Sequence, residues 1–291
     1  MDEEIEKKPL VSVIIPFYSG RIWLEEAIKS VLNQEYSNLE IILINDGSKE
    51  NLSDVINKYA TLLNYVKTDN HGAASARNIG IKMARGKYLA FLDSDDIWEI
   101  DKLKNQIAYM ESHKNIMWSI TSYNIFDNKS NKLLKTINCQ RYDGIIFPKI
   151  INSSPIATPT VVIRRKAIEG IDECFSESLI FGEDSYFWIQ LSIISPIACI
   201  PQPLTKVRWR GTNAAGNIIG QIKARFLVYD ELKKNNLFIK NEYKINKLSL
   251  LVIRYCRFLY NNFIKNKKAS DFCLKILYFP AKLLFKILSL F

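Results

Sequence analysis

The amino-acid sequence predicts an α/β chain. A mostly parallel β-sheet carries helices on both faces, a smaller antiparallel region follows, and the C-terminal tail is helical. Three observations predict this. β-Branched apolar runs start near residues 10, 40, 64 and 88. Helical stripes fill the intervals, and a repeat of about 24–30 residues has the length of a βαβ unit. Polar residues then gather where these strands end, the edge at which open α/β sheets bind ligands.

Each element has its own signal. The run LVSVIIPFY (10–18) is a buried strand closed by a proline. Leu24, Ala27, Ile28, Val31 and Leu32 recur at helical spacing. EIILIND (40–46) is a second strand, and Leu52, Val55, Ile56 and Tyr59 give a second helical stripe. NYVKTD (64–69) is a third strand, GAASARNIGIKMA (72–84) a helix of small residues, and YLAFLD (88–93) a fourth strand. Beyond residue 100 the order loosens. Leu103, Ile107 and Met110 mark a helix, and NIMWSITSYNIF and KLLKTI, joined by DNKSN, form an antiparallel hairpin. TPTVVIRR (158–165) and PLTKVRWR (203–210) are strands, and EDSYFWIQLSII (183–194) is a helix that opens on two acids.

Composition narrows the function. A chain of 291 residues, 48% hydrophobic, suffices for one large domain and an appendage. Five scattered cysteines without a C-x-x-C pair fit reduced thiols, and the acidic start MDEEIEKKPL lacks the apolar core of a secretory leader. The expectation is a cytoplasmic protein. Of the net charge of +10, residues 221–291 supply +11 and residues 1–220 supply −1. The body is therefore not built to grip nucleic acid, whereas the tail suits an anionic surface. Neither G-x-G-x-x-G nor G-x-x-x-x-G-K-[ST] follows the first strand. That leaves hydride transfer and P-loop chemistry without support.

Four polar groups carry the remaining signal. FLDSDDIW crowds Asp93, Asp95 and Asp96 at a strand end. In an extended stretch Asp93 and Asp95 point the same way, with Ser94 elsewhere, and converge on one cation. The competing reading makes Asp95 or Asp96 a turn former or the cap of the next helix. Asp46 is either half of an Asp-Gly turn or a carboxylate for a nucleobase or ribose. Arg77 is either a surface arginine or a cation aimed at the acids or a diphosphate. Glu183 and Asp184 either complement a helix dipole or supply a general base. His71, alone in a loop, reads as solvated.

In this order and spacing, VSVIIPFYSG, EIILINDGS, NHGAASARNIG, FLDSDD and FGEDSYFWIQL resemble the inverting glycosyltransferases of family 2, which have the Rossmann-like GT-A fold. The resemblance covers about residues 10–212. It implies a catalytic domain over 1–220 and a nucleotide-sugar donor, most often a UDP-sugar. It also implies a divalent cation, Mn²⁺ or Mg²⁺, in the synthesis of cell-surface polysaccharide. On this chain Pro16, Phe17 and Tyr18 would line the base pocket, and Asp46 would bind the uracil or ribose. Arg77 would lie near the base and the acids. Asp93, Ser94 and Asp95 would form the D-x-D site, with Asp95 on the metal and Asp93 on the ribose or metal. Asp184 would take the acceptor proton, supported by Glu183 and Trp188. The chain departs from the family pattern at Ser19, Asn45, Gln190 and Arg210. Where many relatives carry a histidine that reaches the metal, this chain has Arg210, which cannot ligate a cation; either water would fill that place or Arg210 would bind the diphosphate. The alternatives are a sugar nucleotidyltransferase and a non-catalytic membrane-bound adaptor of the same fold.

The tail 221–291 reads as a basic amphipathic helical region for membrane association or oligomerisation. In FCLKILYFPAKLLFKILSLF (272–291), Lys275, Lys282, Lys286 and Ser289 fall within about 60° of a helical wheel, with a kink or break at Pro280. Three lysines weigh against a membrane span. The expectation is a helix lying on the inner face of the cell membrane through residues 268–291, aided by RYCRF and KNKK, and presenting the site to a glycan or lipid-linked acceptor. The alternative is packing on the catalytic domain or on a second protomer.

Overall fold

A computed structural model describes residues 8–152, 156–211, 213, 216–237, 247–265 and 270–288. Ser289 and the KNKK cluster beyond Lys265 lie outside the described residues. The chain forms two compact units: residues 1–143, 156–174 and 197–208, and residues 144–155, 175–196 and 209–291.

The first unit is built on the expected βα repeat. β1 (Val11–Phe17), α1 (Arg21–Leu32), β2 (Leu39–Asp46), α2 (Ser53–Lys58), β3 (Leu63–Thr68), α3 (Ala73–Met83) and β4 (Tyr88–Phe91) follow in order. β1 pairs in parallel with β2 and β4, and β2 pairs with β3, giving the order β3-β2-β1-β4. The chain thus winds outward from β1 and then returns to its other side, so a topological switch point falls beside the end of β1. Val11, Val13 and Ile15 face a core shared with Leu24, Ala27, Ile28 and Val31 of α1. The alternate residues face α3, where a Cβ on Gly80 would come within 2.4 Å of Ile14. Buried strands with helices on both sides read as continuous apolar runs, which is why their limits were plain in the sequence.

The antiparallel part extends this sheet. After β5 (Ile97–Trp98) and α4 (Lys102–Ser112), β6 (Trp118–Asp127) and β7 (Leu133–Ile137) form the expected hairpin. β8 (Val162–Arg164) joins β4 to β6, and β9 (Ile197–Trp209) lies between β6 and β5. Two limits differ from expectation. Thr158–Thr160 is a 3₁₀ turn rather than strand, with Pro159 at its start. β9 begins well before residue 203, running through Pro201 and Pro203. Its pairing with β5 covers only Thr205 and Lys206.

The second unit is helical. α5 (Glu183–Ile194) has the expected limits, followed by α6 (Ile218–Lys234), α7 (Lys247–Leu259) and α8 (Asp271–Leu288). α6 packs on α5, α7 and α8. α8 runs through Pro280 without a break. Pro280 and Ile276, whose carbonyl loses its helical partner, are both exposed. The helix buries Leu274, Tyr278, Ala281, Phe285 and Leu288, while Ile276, Phe279, Leu283 and Ile287 on the opposite side are exposed. The apolar arc read from the sequence is therefore two faces, of which one is already covered within the unit. Among the described residues no helix is long and apolar enough to cross a membrane.

Candidate active site

The site of the first unit is assembled at the carboxyl rim of β1, β2 and β4. Phe17 pairs with Asn45, Pro16 with Ile44, and Ile14 with Phe91, so Asp46 and Asp93 flank the end of β1 from its two neighbours. Phe17 is buried in the core, Pro16 half-buried and Tyr18 half-exposed.

Asp46, 4% exposed, accepts the backbone N–H of His71 at 2.9 Å and of Gly72 at 2.8 Å. Its two carboxylate oxygens thus tether the loop that leads into α3, and Gly72 enters the helix with φ +91°. His71 itself is exposed and takes part through its backbone. Glu50 plays the matching part for α1, accepting the N–H groups of Gly20 at 2.7 Å and Arg21 at 2.8 Å. A carboxylate at a helix start satisfies donors that the helix leaves open. Asn45, in place of the family's acid, is 2% exposed; its amide donates to Tyr65 Oη at 2.9 Å and accepts Ser48 N–H at 2.9 Å. A carboxylate there would lack the donor to Tyr65.

The acidic segment is a turn, not the extended stretch expected from the sequence. Asp96 N–H donates to the Asp93 carbonyl at 3.0 Å, which puts Ser94 and Asp95 at the centre of a tight bend. The alternation argument for Asp93 and Asp95 therefore does not apply. Nor does Asp95 or Asp96 cap the next helix, because α4 begins after Asp101. Asp93, Ser94 and Asp95 are half-buried and Asp96 is buried. Burial, and then the carboxylates of Asp95 and Asp93, push the Asp96 carboxyl well above the usual carboxylate range, against the N–H of Arg208.

Two buried arginines meet this turn. Arg77, from α3, donates to Asp93 at 2.7 Å, with side-chain exposures of 7% and 29%. Arg208, near the end of β9, gives its backbone N–H to Asp96 at 2.8 Å and its Nε to the Asp95 carbonyl at 2.8 Å. Sequence reasoning found Arg77 but passed over Arg208 in favour of Arg210. The available signal was the alternation of β9, which sets Lys206, Arg208 and Arg210 on one face, but alternation does not say which of the three is buried. Arg210 is exposed, its backbone N–H bonded to Asn213 at 2.7 Å.

The donor chemistry at the turn fits Mg²⁺ or Mn²⁺. Asp93 and Asp95 offer hard oxygens from two positions of one turn. Among the described residues no group of three or more His, Cys, Asp or Glu side chains is placed to hold a metal alone, so a cation there would draw its other ligands from substrate oxygens and water.

The second unit holds the other acids. Gly182 enters α5 with φ +84°, and Glu183 and Asp184 form its first turn, both half-buried. The approach of α6 fixes this start: a Cβ on Gly182 would lie 2.6 Å from Val228, and one on Gly220 would lie 2.7 Å from Phe181. Trp188 is fully buried, stacked on Phe187 at 5.1 Å and edge-on to Phe175 at 5.7 Å. Gln190, also departing from the family pattern, is buried on the same helix.

Comparison with known proteins agrees with this architecture. The family model described as glycosyl transferase family 2 matches residues 12–171. An uncharacterized glycosyltransferase of Rickettsia bellii is 43% identical over 215 residues, covering 73% of this chain and 31% of that protein. The chain thus spans about a third of the length of that relative. The Escherichia coli protein WfgD, named a UDP-Glc:alpha-D-GlcNAc-diphosphoundecaprenol beta-1,3-glucosyltransferase, is 31% identical over 233 residues, covering 78% of this chain and 88% of that one. Among solved structures, the mannosyltransferase PcManGT from Pyrobaculum calidifontis, in complex with GDP-Man and Mn²⁺, has a TM-score of 0.60 at 16% identity. The match covers 97% of this chain and 80% of that one, and it shows that the two share the GT-A fold. A parallel sheet ending in Asp46 and the Asp93–Asp96 turn, matched by the family model along more than half its length, places this chain in glycosyl transferase family 2.

Proposed function

We propose that the chain is an inverting glycosyltransferase that moves a sugar from a nucleotide-sugar, a UDP-sugar, to a hydroxyl of a glycan or lipid-linked acceptor in cell-surface polysaccharide synthesis. The observation that carries this is the acidic turn at the switch point of the sheet, with Arg77 on Asp93 and Asp46 at the neighbouring strand end. The name of the 31%-identical relative, a glucosyltransferase using UDP-Glc on a lipid-linked diphosphate, supports the donor and acceptor class.

Residues 1–220 then act as the catalytic domain. Pro16, Phe17 and Tyr18 line the base side, and Asp46 orders the loop beneath the nucleoside while facing the ribose or uracil. Asp93 and Asp95 would hold Mg²⁺ or Mn²⁺, which when bound offsets charge on the departing diphosphate. Arg210 serves the same diphosphate. Asp184 accepts the proton of the acceptor hydroxyl as its oxygen attacks the anomeric carbon from the face opposite the diphosphate. The glycosidic bond forms as the bond to the diphosphate breaks, with inversion. Glu183 and Trp188 hold the start of α5.

The basic region 221–291 brings the protein to the inner face of the cell membrane. The exposed side of α8 supports this: Ile276, Phe279, Leu283 and Ile287 form an apolar strip flanked by Lys275, Lys282 and Lys286. That is the pattern of a helix lying in an interface, with lysines reaching for anionic headgroups. Phe279→Ser with Leu283→Ser should release the protein from anionic vesicles in a sedimentation assay. Dimers in solution that the same pair abolishes, with vesicle binding absent, would assign the strip to a second protomer instead.

The activity test is UDP release from a panel of UDP-sugars with Mn²⁺ and an undecaprenyl-linked glycan. Asp95→Ala and Asp184→Asn should each reduce turnover by at least 100-fold, on the order expected for losing charge stabilisation or a general base. Unchanged turnover in both variants would overturn the proposal.

A further inference from the structure

The geometry points to Arg208 as a positioning residue, which we propose sets the direction of the Asp95 carboxylate and thereby the affinity of the turn for a nucleoside diphosphate carried with a divalent cation. The turn needs an external hold. Neighbouring carboxylates repel one another, and a two-residue bend has little stiffness of its own. Arg77 holds one end through Asp93. Arg208 holds the other, and does so through the main chain. Its Nε fixes the Asp95 carbonyl at 2.8 Å, and its backbone N–H fixes Asp96 Oδ1 at 2.8 Å. The peptide plane that follows Asp95 and the carboxylate of the next residue are both anchored, and with the Asp96 N–H on the Asp93 carbonyl they restrict the direction in which the Asp95 side chain leaves the turn.

The guanidinium is itself held by elements far apart in the chain. One terminal nitrogen donates to Asn128 at 3.2 Å, in the connection between β6 and β7, and the other pairs with Glu26 of α1. Its plane lies 4.7 Å from the Phe126 ring centre and 5.8 Å from that of Trp23. At 3% exposure the cation is desolvated, and only a planar fork reaches three acceptors at once. An ammonium on a lysine stem reaches at most part of that set.

The test pairs Arg208→Lys with Glu26→Gln, whose partly exposed carboxylate makes the second change mild. Arg164→Lys serves as a control: Arg164 is equally a buried arginine of this unit, but bonds the Ile116 carbonyl at 2.9 Å and Glu111. Each protein is kept where circular dichroism shows it folded. UDP affinity is measured by calorimetry with and without Mn²⁺, and amide hydrogen exchange is followed on the peptide containing residues 93–98. The diphosphate half of the inference rests on the proposed donor chemistry; the exchange half does not.

Arg208→Lys should weaken UDP binding in Mn²⁺ at least tenfold and speed exchange across the turn at least tenfold. Glu26→Gln should move both in the same direction by about threefold. Arg164→Lys should lower the melting temperature and move neither. Turn amides in Arg208→Lys and Glu26→Gln as protected as in the wild type would overturn the inference. So would equal changes in the Arg164→Lys control. Faster exchange in a protein whose wild type binds no UDP with Mn²⁺ would uphold Arg208 as the hold on the turn and remove the donor reading instead.

Discussion

The Arg77 guanidinium lies 2.7 Å from the Asp93 carboxylate, joining the helix after β3 to the loop after β4. Both groups sit at the rim of one parallel sheet, and the arginine is the more deeply buried partner. A desolvated cation is costly to leave alone, whereas Asp93 retains some water. Arg77→Met should therefore destabilise the first unit by about 2–3 kcal/mol in urea unfolding, at or below the foot of the range of about 3–5 kcal/mol for breaking a fully buried pair, because Asp93 retains some water. Asp93→Asn, which takes this charge away from the buried cation, should lower stability in the same direction. A loss under about 0.5 kcal/mol in both would mean that the pair is a solvated contact of little energetic consequence.

Asp46 makes a second prediction, separable from any ligand. Its two oxygens each accept one backbone N–H, at 2.9 and 2.8 Å. Asparagine keeps one acceptor and turns an NH₂ toward the other N–H, so Asp46→Asn should cost about 1–3 kcal/mol. Amides of residues 71–76 should exchange faster while those of β2 do not. Uniform acceleration through the sheet would show instead that Asp46 serves the strand rather than the loop.

The parallel half of the fold was legible because buried strands and their helices write themselves as apolar runs of two different periods. α5 was read to the residue, since its acids and its aromatic run bracket it. The antiparallel half was legible as a hairpin but not in its limits, because Pro201 and Pro203 argue against a strand by local rules and yet β9 runs through both. At the site, Asp46 and the acidic run stood out from their positions at strand ends, and Arg77 from the small residues of its helix. What those groups touch did not. Asp46 bonds a loop 25 residues on, and Arg208 reaches partners 80 and 182 residues away. Long-range pairing of this kind leaves no periodic trace, and a turn closed by one Asp96–Asp93 bond has the same composition as an extended D-x-D.

Gly182 tests how the start of α5 is held. Its φ of +84° is open to glycine and strained for other residues, and an added Cβ would sit 2.6 Å from Val228 of α6. Gly182→Ala should destabilise the second unit by about 2–4 kcal/mol, combining strain with overpacking. Adding Val228→Ala should recover the packing share only. Gly72→Ala isolates backbone strain in the first unit: at φ +91° and ψ 166° it holds an extended conformation that essentially only glycine adopts, and nothing lies within 4 Å of its Cβ, so the cost should be about 1–3 kcal/mol. Full recovery in the Gly182→Ala, Val228→Ala pair would show that backbone strain contributes nothing there.

Acid stability should be governed by Glu111, which ends α4 beneath the sheet. Burial alone would raise its carboxyl, but Lys114, Lys87, the Tyr88 hydroxyl and Arg164 together hold it well below the usual glutamate value of 4.5. Glu40 is depressed in the same sense: burial opposes ionisation, and the Ser12 hydroxyl with the N–H and guanidinium of Arg85 more than offsets it. For a carboxyl depressed in the folded state, the unfolded chain binds more protons between the two pKa values. The stabilisation is therefore present above about pH 4.5 and is lost as pH falls toward the folded value. Glu111→Gln should lower stability by about 1–3 kcal/mol at pH 7 and leave a shallower decline below pH 4.5. Glu40→Gln should do the same independently, because the two carboxyls share no partner. Melting curves from pH 7 to pH 2 decide it: variants that decline as steeply as the wild type below pH 4.5 would place the acid-labile charges elsewhere.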